Sequence, residues 1–352
     1  MPAEPETARL ARRIRLPGAI GIGLASMIGA GLFAVWGPAT DAARGGLVIS
    51  LVLAAIIATL NAFSSAQLAT AHPVAGGAYA FGRRYVGPWT GFTAGWLFVT
   101  GKTASAAAIA SIAAAYLYPP SPTPVAVGLI VVFAALNMAG VRTTARVSIA
   151  IVATVLTGLA VVLIAAVAGG AAADLDPVTS ILAPTSAYGV LQGAALLFFA
   201  FAGYARMATL GEEVVEPRRT LPRAIFIALG VVLALYAAVA VLLVSTLGVN
   251  RLAGSRTPLA ELLDPAWTPL VVAIAGIACL GSLVGILAGL SRTSLAMARG
   301  GDLPGVLARI WPRTSAPAVA EAIIASLAIV IVVLLEPAQL VAASSSAVLL
   351  YY

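Results

Sequence analysis

Ten apolar runs follow one another along the chain, at 17–36, 46–70, 88–118, 124–140, 147–169, 187–210, 221–247, 267–298, 316–335 and 338–352, joined by short polar or Pro/Gly-rich breaks. A helix needs about 20 apolar residues to cross hydrocarbon. Lipid offers no partner to a backbone N–H or C=O, so each run must bond its own backbone, which a helix does. The pattern predicts an all-α polytopic membrane protein. Hydrophobic residues make up 61% of the chain and charged residues 9%, too little polar material to surface a soluble domain. The last run is short for a crossing and ends at Tyr351-Tyr352 without a polar flank, which predicts that the chain stops inside its tenth helix.

Orientation follows from the basic residues. With the N-terminus inside, of the 20 Lys and Arg only Arg44, Arg251 and Arg256 fall outside, while Lys102 and Arg206 lie within apolar runs. A cell-membrane protein with a cytoplasmic N-terminal tail (residues 1–16) is expected. The net charge of +7 is scattered over several loops and reads as contact with anionic headgroups, not with nucleic acid. One Cys and one His exclude a disulfide framework, a Cys/His zinc site and a bis-histidine haem. Neither a metal nor a cofactor is implied, and no nucleophile constellation points to an enzyme. Residues 36–46 read as a short external turn. Residues 71–89 read as an amphipathic segment at the inner interface, in which His72 is a loop residue.

Within the first run, glycines stand at 18, 21, 23, 29 and 31. Each costs roughly 1 kcal/mol relative to alanine in a helix interior, so Gly29-Ala30-Gly31 marks either close helix packing or a broken helix of the kind that presents its ends to a polar ligand near the midplane. The sixth run repeats the anomaly: Phe198-Phe199-Ala200-Phe201-Ala202-Gly203-Tyr204 turns polar at Arg206 and Glu212-Glu213. The two unusual helices open two groups of five, and an odd number of crossings per group inverts the second relative to the first. Two repeats, 17–170 and 171–352, with a site at their interface are the expected organisation. Lys102, the only lysine, sits near the middle of the third run, where a charge costs roughly 2.5–3.5 kcal/mol even on lenient scales. It reads as a proton switch or fixed charge, against the plainer reading of a lysine held by helix-end carbonyls.

Four patterns resemble the amino acid–polyamine–organocation superfamily of transporters over essentially the whole chain: Met27-Ile28-Gly29-Ala30-Gly31-Leu32-Phe33; Pro73-Val74-Ala75-Gly76-Gly77-Ala78-Tyr79 with Gly95-Trp96; Phe199 to Tyr204 followed by Glu212-Glu213-Val214-Val215-Glu216-Pro217; and Ala296-Met297-Ala298-Arg299-Gly300-Gly301-Asp302-Leu303-Pro304. The resemblance implies a five-plus-five inverted-repeat transporter fold with helices one and six broken. Carried onto this chain, it implies a substrate site at Ser26, Met27, Gly29, Ala30 and Gly31, whose backbone N–H groups receive a carboxylate. Across from them stand Phe199, Phe201, Ala202 and Gly203, whose carbonyls accept an α-ammonium. Phe199 and Phe201 are either aromatic gates or plain core. Some proton-coupled relatives carry a lysine in helix five; Ala153-Thr154-Val155-Leu156-Thr157 has none, which leaves Lys102 as the coupling candidate. Glu212, Glu213 and Glu216 with Arg218, Arg219 and Arg223 either close an inner gate or cap helices, and capping is favoured.

The expected function is secondary active transport of an amino acid by alternating access, coupled to protons. An amino acid or amine exchanger, a channel and a membrane sensor are the alternatives. Acidic residues are nearly absent from the runs, which favours neutral substrates.

Overall fold

A computed structural model describes residues 10–118, 120–169, 185–255, 257–335, 339–340 and 347, with backbone alone at 30, 34, 116, 199, 202 and 205. Among them the chain is helical, and pairing of extended segments is confined to isolated bridges. In order come α1 Leu16–Met27, α2 Ala30–Ala34, α3 Trp36–Ala43, α4 Leu47–Ala71, α5 Ala78–Tyr85, α6 Pro88–Leu117, α7 Pro122–Met138 and α8 Val141–Ala168. They are followed by α9 Ala187–Phe201, α10 Ala205–Ala208, α11 Pro217–Gly254, α12 Thr268–Arg299 and α13 Ala318–Leu334. Proline opens α6, α7 and α11, where its missing N–H would have had no helical partner anyway. Five helical stretches are long and apolar enough to cross a membrane, and α1, α7, α13 and most of α9 are shorter apolar helices. The tenth apolar run lies largely outside the described residues, as do Asp174 and Asp176, which the sequence reading puts outside the membrane.

The packing is that of a protein solvated by lipid. On α4, Ala54, Ala58, Ala62 and Ala66 are buried, while Ile49, Val52, Ile56, Leu60 and Phe63 are exposed. Small residues inside let helix backbones approach, and large apolar ones face the hydrocarbon without cost. At the centre lies α12, which packs on α6, α8, α1, α13 and α7. α1 fills the space between α8, α11 and α12.

One expectation fails locally. Residues 36–46, read as a turn, form α3 and a 3-10 turn at Arg44–Gly46. Trp36 Nε1 donates to the Leu32 carbonyl at 2.8 Å and the Thr40 hydroxyl to that of Trp36 at 2.7 Å. These bonds satisfy both side chains within the protein, and Trp36 is completely buried. The interfacial segment forms as α5, with Tyr79 and Phe81 buried against the bundle.

At the face carrying residues 10–15, the chain's start is laced to the segment after α10. The N–H groups of Arg13 and Ile14 donate to the Glu213 carbonyl at 2.8 and 2.9 Å, and that of Val215 to Ile14 at 2.8 Å.

Candidate functional site

Both anomalous runs are broken, and the breaks touch. α1 ends at Met27; Ile28 (φ −87°, ψ 76°) and Gly29 (φ −139°, ψ −147°) leave the helical region, and α2 restarts at Ala30. A Cβ on Gly29 would overlap the Ser282 hydroxyl of α12, so only glycine lets the break lie on that helix. The second break is a change of pitch, a 3-10 turn at Ala202–Tyr204 between α9 and α10. A Cβ on Gly203 would stand 2.6 Å from the Ser26 carbonyl oxygen and from Met27 Cγ. The backbones of the two breaks therefore meet with no side chain between them. Gly31 faces Ala200 in the same close manner.

Breaking a helix strands carbonyls that lipid cannot serve. Tyr236 of α11, completely buried, supplies the missing donor: its hydroxyl stands 2.9 Å from the Met27 carbonyl oxygen and 3.3 Å from that of Ala200. One phenol proton thus bridges the ends of both broken helices. The ring is held edge-on to Trp36 at 6.0 Å and lies 4.8 Å from Phe201. Phe201 is completely buried there, so in this conformation it packs as core beneath the break. The side chains of Phe199, Ala30 and Ala202 lie outside the described residues. The Ser26 hydroxyl donates to the Ile22 carbonyl at 2.8 Å and faces Gly285 of α12.

Ser26, Met27, Gly29, Gly31 and Gly203 are thus brought into one neighbourhood. Lys102 sits on α6, half-buried, next to a glycine that faces Ala347. α6 packs mainly on α12 and α5.

Toward the face carrying residues 10–15 lies a buried charge network that sequence reasoning missed. Arg292 of α12 grips Glu213 in bidentate fashion, Nε at 2.9 Å and the second amino nitrogen at 3.0 Å. Its other amino group stands 3.8 Å from Glu321 of α13. Asn137 of α7 donates to Glu321 at 2.8 Å and to the Val284 carbonyl at 3.2 Å, and accepts from Thr144 of α8 at 2.9 Å. Arg206, on α10 just past the second break, is buried and donates to the Thr209 hydroxyl at 2.5 Å. Further out, Arg299 meets both oxygens of Glu212 at 2.8 and 3.0 Å, and Glu212 accepts the N–H groups of Leu10 and Ala75 at 3.3 Å. Arg83 of α5 meets Asp302 at 2.6 Å, beside the Tyr79 hydroxyl at 2.8 Å. Burial and the adjoining Asp302 carboxylate push the Tyr79 phenol up to about 12, so it stays a donor.

This overturns the capping expectation. Glu212 and Glu213 cross to α12, while Glu216 begins α11 with φ 47° and no side-chain capping bond. The signal was present in the sequence: Glu321 stands inside the run 316–335, and Arg292, counted above with the inner face, falls within the run 267–298, where an ionisable residue needs a partner. Which partner it takes, only the packing says. The near-absence of acidic residues from the runs is likewise qualified by Glu321, which is 1% exposed.

The family described as "Amino acid permease" matches residues 18–350. An uncharacterized transporter of Mycobacterium tuberculosis is 47% identical over 348 residues, covering 97% of this chain and 78% of that protein. The branched-chain amino acid permease BcaP of Bacillus subtilis is 28% identical, over 85% of this chain and 70% of its own. Among solved structures, MhsT in complex with L-phenylalanine superposes with a TM-score of 0.65 at 18% identity, covering 92% of this chain and 80% of that one. That likeness is one of fold.

Proposed function

Because this chain belongs to the amino acid permease family, within the amino acid–polyamine–organocation superfamily, we propose that it carries an amino acid across the cell membrane by alternating access, driven by protons, with its N-terminus in the cytoplasm. The observation that carries the reading is the direct meeting of the two broken helices at Gly203 and Ser26–Met27, tied by Tyr236. Opened helix ends offer N–H donors and a positive dipole end to a carboxylate, and free carbonyls to an ammonium. An α-amino acid carries both groups. Gly29, Ala30 and Gly31 would receive the carboxylate, and the carbonyls around Phe199, Ala202 and Gly203 the ammonium.

At the face carrying residues 10–15 the bundle is tied by the Glu212–Arg299, Glu213–Arg292 and Asp302–Arg83 pairs. These pairs are the proposed inner gate, and residues 17–170 and 171–352 the two inverted repeats that move against each other. Lys102 is the coupling candidate that the sequence offers.

Uptake of a panel of labelled amino acids into proteoliposomes, with and without an inward proton gradient, tests the reading. Saturable, gradient-driven accumulation of a neutral amino acid is expected. Passive, non-saturating flux would indicate a channel, and no uptake by folded protein would overturn transport of amino acids. Lys102→Ala in the same assay converts accumulation to gradient-insensitive exchange if Lys102 couples, and leaves accumulation intact if it does not.

A further inference from the structure

Four buried charges meet where α10, the segment after it, α12 and α13 come together: Arg206 and, within its electrostatic reach, Glu213, Arg292 and Glu321. Their formal charges cancel. The cancellation is not matched by complete hydrogen bonding. Glu321 Oε2 has no hydrogen-bond partner among the described residues, nor do Nε and one amino nitrogen of Arg206. Arg206 is 6% exposed and Glu321 1%, so neither reaches solvent in this conformation. A half-satisfied buried network is costly and is kept where it does something.

We propose that Glu321 carries the coupled proton, and that its charge sets the grip of the inner gate. This rests on the proton-coupled reading above and names the residue that performs it. Glu321 is held by Asn137 of α7 on one side, and on the other it faces the arginine that grips Glu213. The groups that face it are Asn137 of α7, Ser291 and Arg292 of α12, and Arg206 of α10; Glu213 is held on the far side of Arg292. α6, which also packs on α13, brings Lys102 as its only charged residue.

With the outside open, hydronium passes a proton to Oε2, an O–H bond forms and water is released. Two guanidinium groups then face one carboxylate. Arg206 rides on α10 and leans on α12 at Gly289, where a Cβ would strike its guanidinium. Arg292 belongs to α12 itself. Their repulsion, now offset by Glu213 alone, and the lost attraction between Arg206 and Glu321 push α10 away from α12; the adjoining Glu213 segment follows and the inner face opens. Substrate and proton leave, Glu321 gives its proton to cytoplasmic water, and the four charges close the gate again.

The test compares the native protein with Glu321→Gln, Glu321→Asp and Lys102→Ala in proteoliposomes, under an inward gradient of one pH unit. For one proton per substrate such a gradient supports about tenfold accumulation. Glu321→Gln should accumulate nothing yet still exchange labelled for unlabelled substrate, with a flat pH profile, while Glu321→Asp should accumulate with a displaced profile. Native-like accumulation by Glu321→Gln overturns the proposal; if Lys102→Ala then fails to accumulate, proton coupling stands and the lysine carries it. Loss of exchange in Glu321→Gln together with an undisplaced profile in Glu321→Asp makes the residue structural and also overturns it. A native protein that transports without responding to the gradient sinks this proposal and proton coupling together, but not transport itself.

Discussion

Replacing Arg292 with methionine would strip two buried carboxylates of the cation that touches them, leaving Arg206 as the one buried counter-charge within reach of both among the described residues. The guanidinium holds both oxygens of Glu213 at 2.9 and 3.0 Å and stands 3.8 Å from Glu321, and none of the three side chains is more than 2% exposed. Breaking a buried pair from one side costs about 3–5 kcal/mol, or roughly two to three and a half orders of magnitude in an equilibrium constant. Glu213→Gln should cost less, because Arg292 keeps Glu321. The double variant should be less damaged than the sum of the two, since Glu213 is no longer stranded. Part of the loss falls on the gate, because the pair joins the segment after α10 to α12. Two measurements follow: unfolding of the detergent-solubilised protein, and labelling of Ser26→Cys by an impermeant maleimide from the face carrying residues 10–15, with Cys279 replaced. Labelling should rise at least tenfold in Arg292→Met, with a clear loss of stability. A destabilisation below about 1 kcal/mol, the size of an exposed pair, with unchanged labelling would refute the reasoning. Arg44→Gln is the control: its pair with Asp41 is 51% and 63% exposed, and neither readout should move.

Tyr236→Phe strands the Met27 carbonyl and should cost about 1–3 kcal/mol, seen as a lower melting temperature and weaker substrate binding; an unchanged melt would mean that the tie is idle. Gly29→Ala and Gly203→Ala should each abolish uptake, because their methyls meet the Ser282 hydroxyl and the Ser26–Met27 backbone, whereas Gly230→Ala, with nothing within 4 Å of the new methyl, should transport normally. The Tyr79 phenol is raised in the fold from 10.0 to about 12, so its contribution to stability is complete below pH 10 and lost as pH rises toward 12. Tyr79→Phe should flatten that part of an alkaline unfolding titration; an unaltered alkaline limb would remove Tyr79 from the lock.

The sequence readings divide by range. Glycine clusters located both helix breaks to within a residue or two, because a break is a local event: Gly29 and Gly203 stand where a side chain would strike a neighbour. Turn-like residues misled at 36–46, since Trp36 bonds back to Leu32 of α2 and Thr40 to Trp36 one turn earlier, which periodicity does not register. Of the candidate set that the resemblance implies, Ser26, Met27, Gly29, Gly31 and Gly203 stand in one neighbourhood. Phe201 turned to Tyr236, a partner 35 residues further on that no pattern marked.

The chain by itself determined the solvent and the elements: an apolar run in lipid has no alternative to bonding its own backbone, so composition and run length suffice to make it a helix. Small residues and glycines then settled how closely those helices approach. The tertiary structure alone decided the polar pairings, in which Tyr236 finds Met27 from 209 positions away, Asn137 finds Glu321 from 184 and Arg292 finds Glu213 from 79. The hydrophobic term is indifferent to direction and sums along the sequence, but a hydrogen bond or ion pair is made only where two groups arrive within about 3 Å of each other, and that is fixed by the packing of all the helices at once.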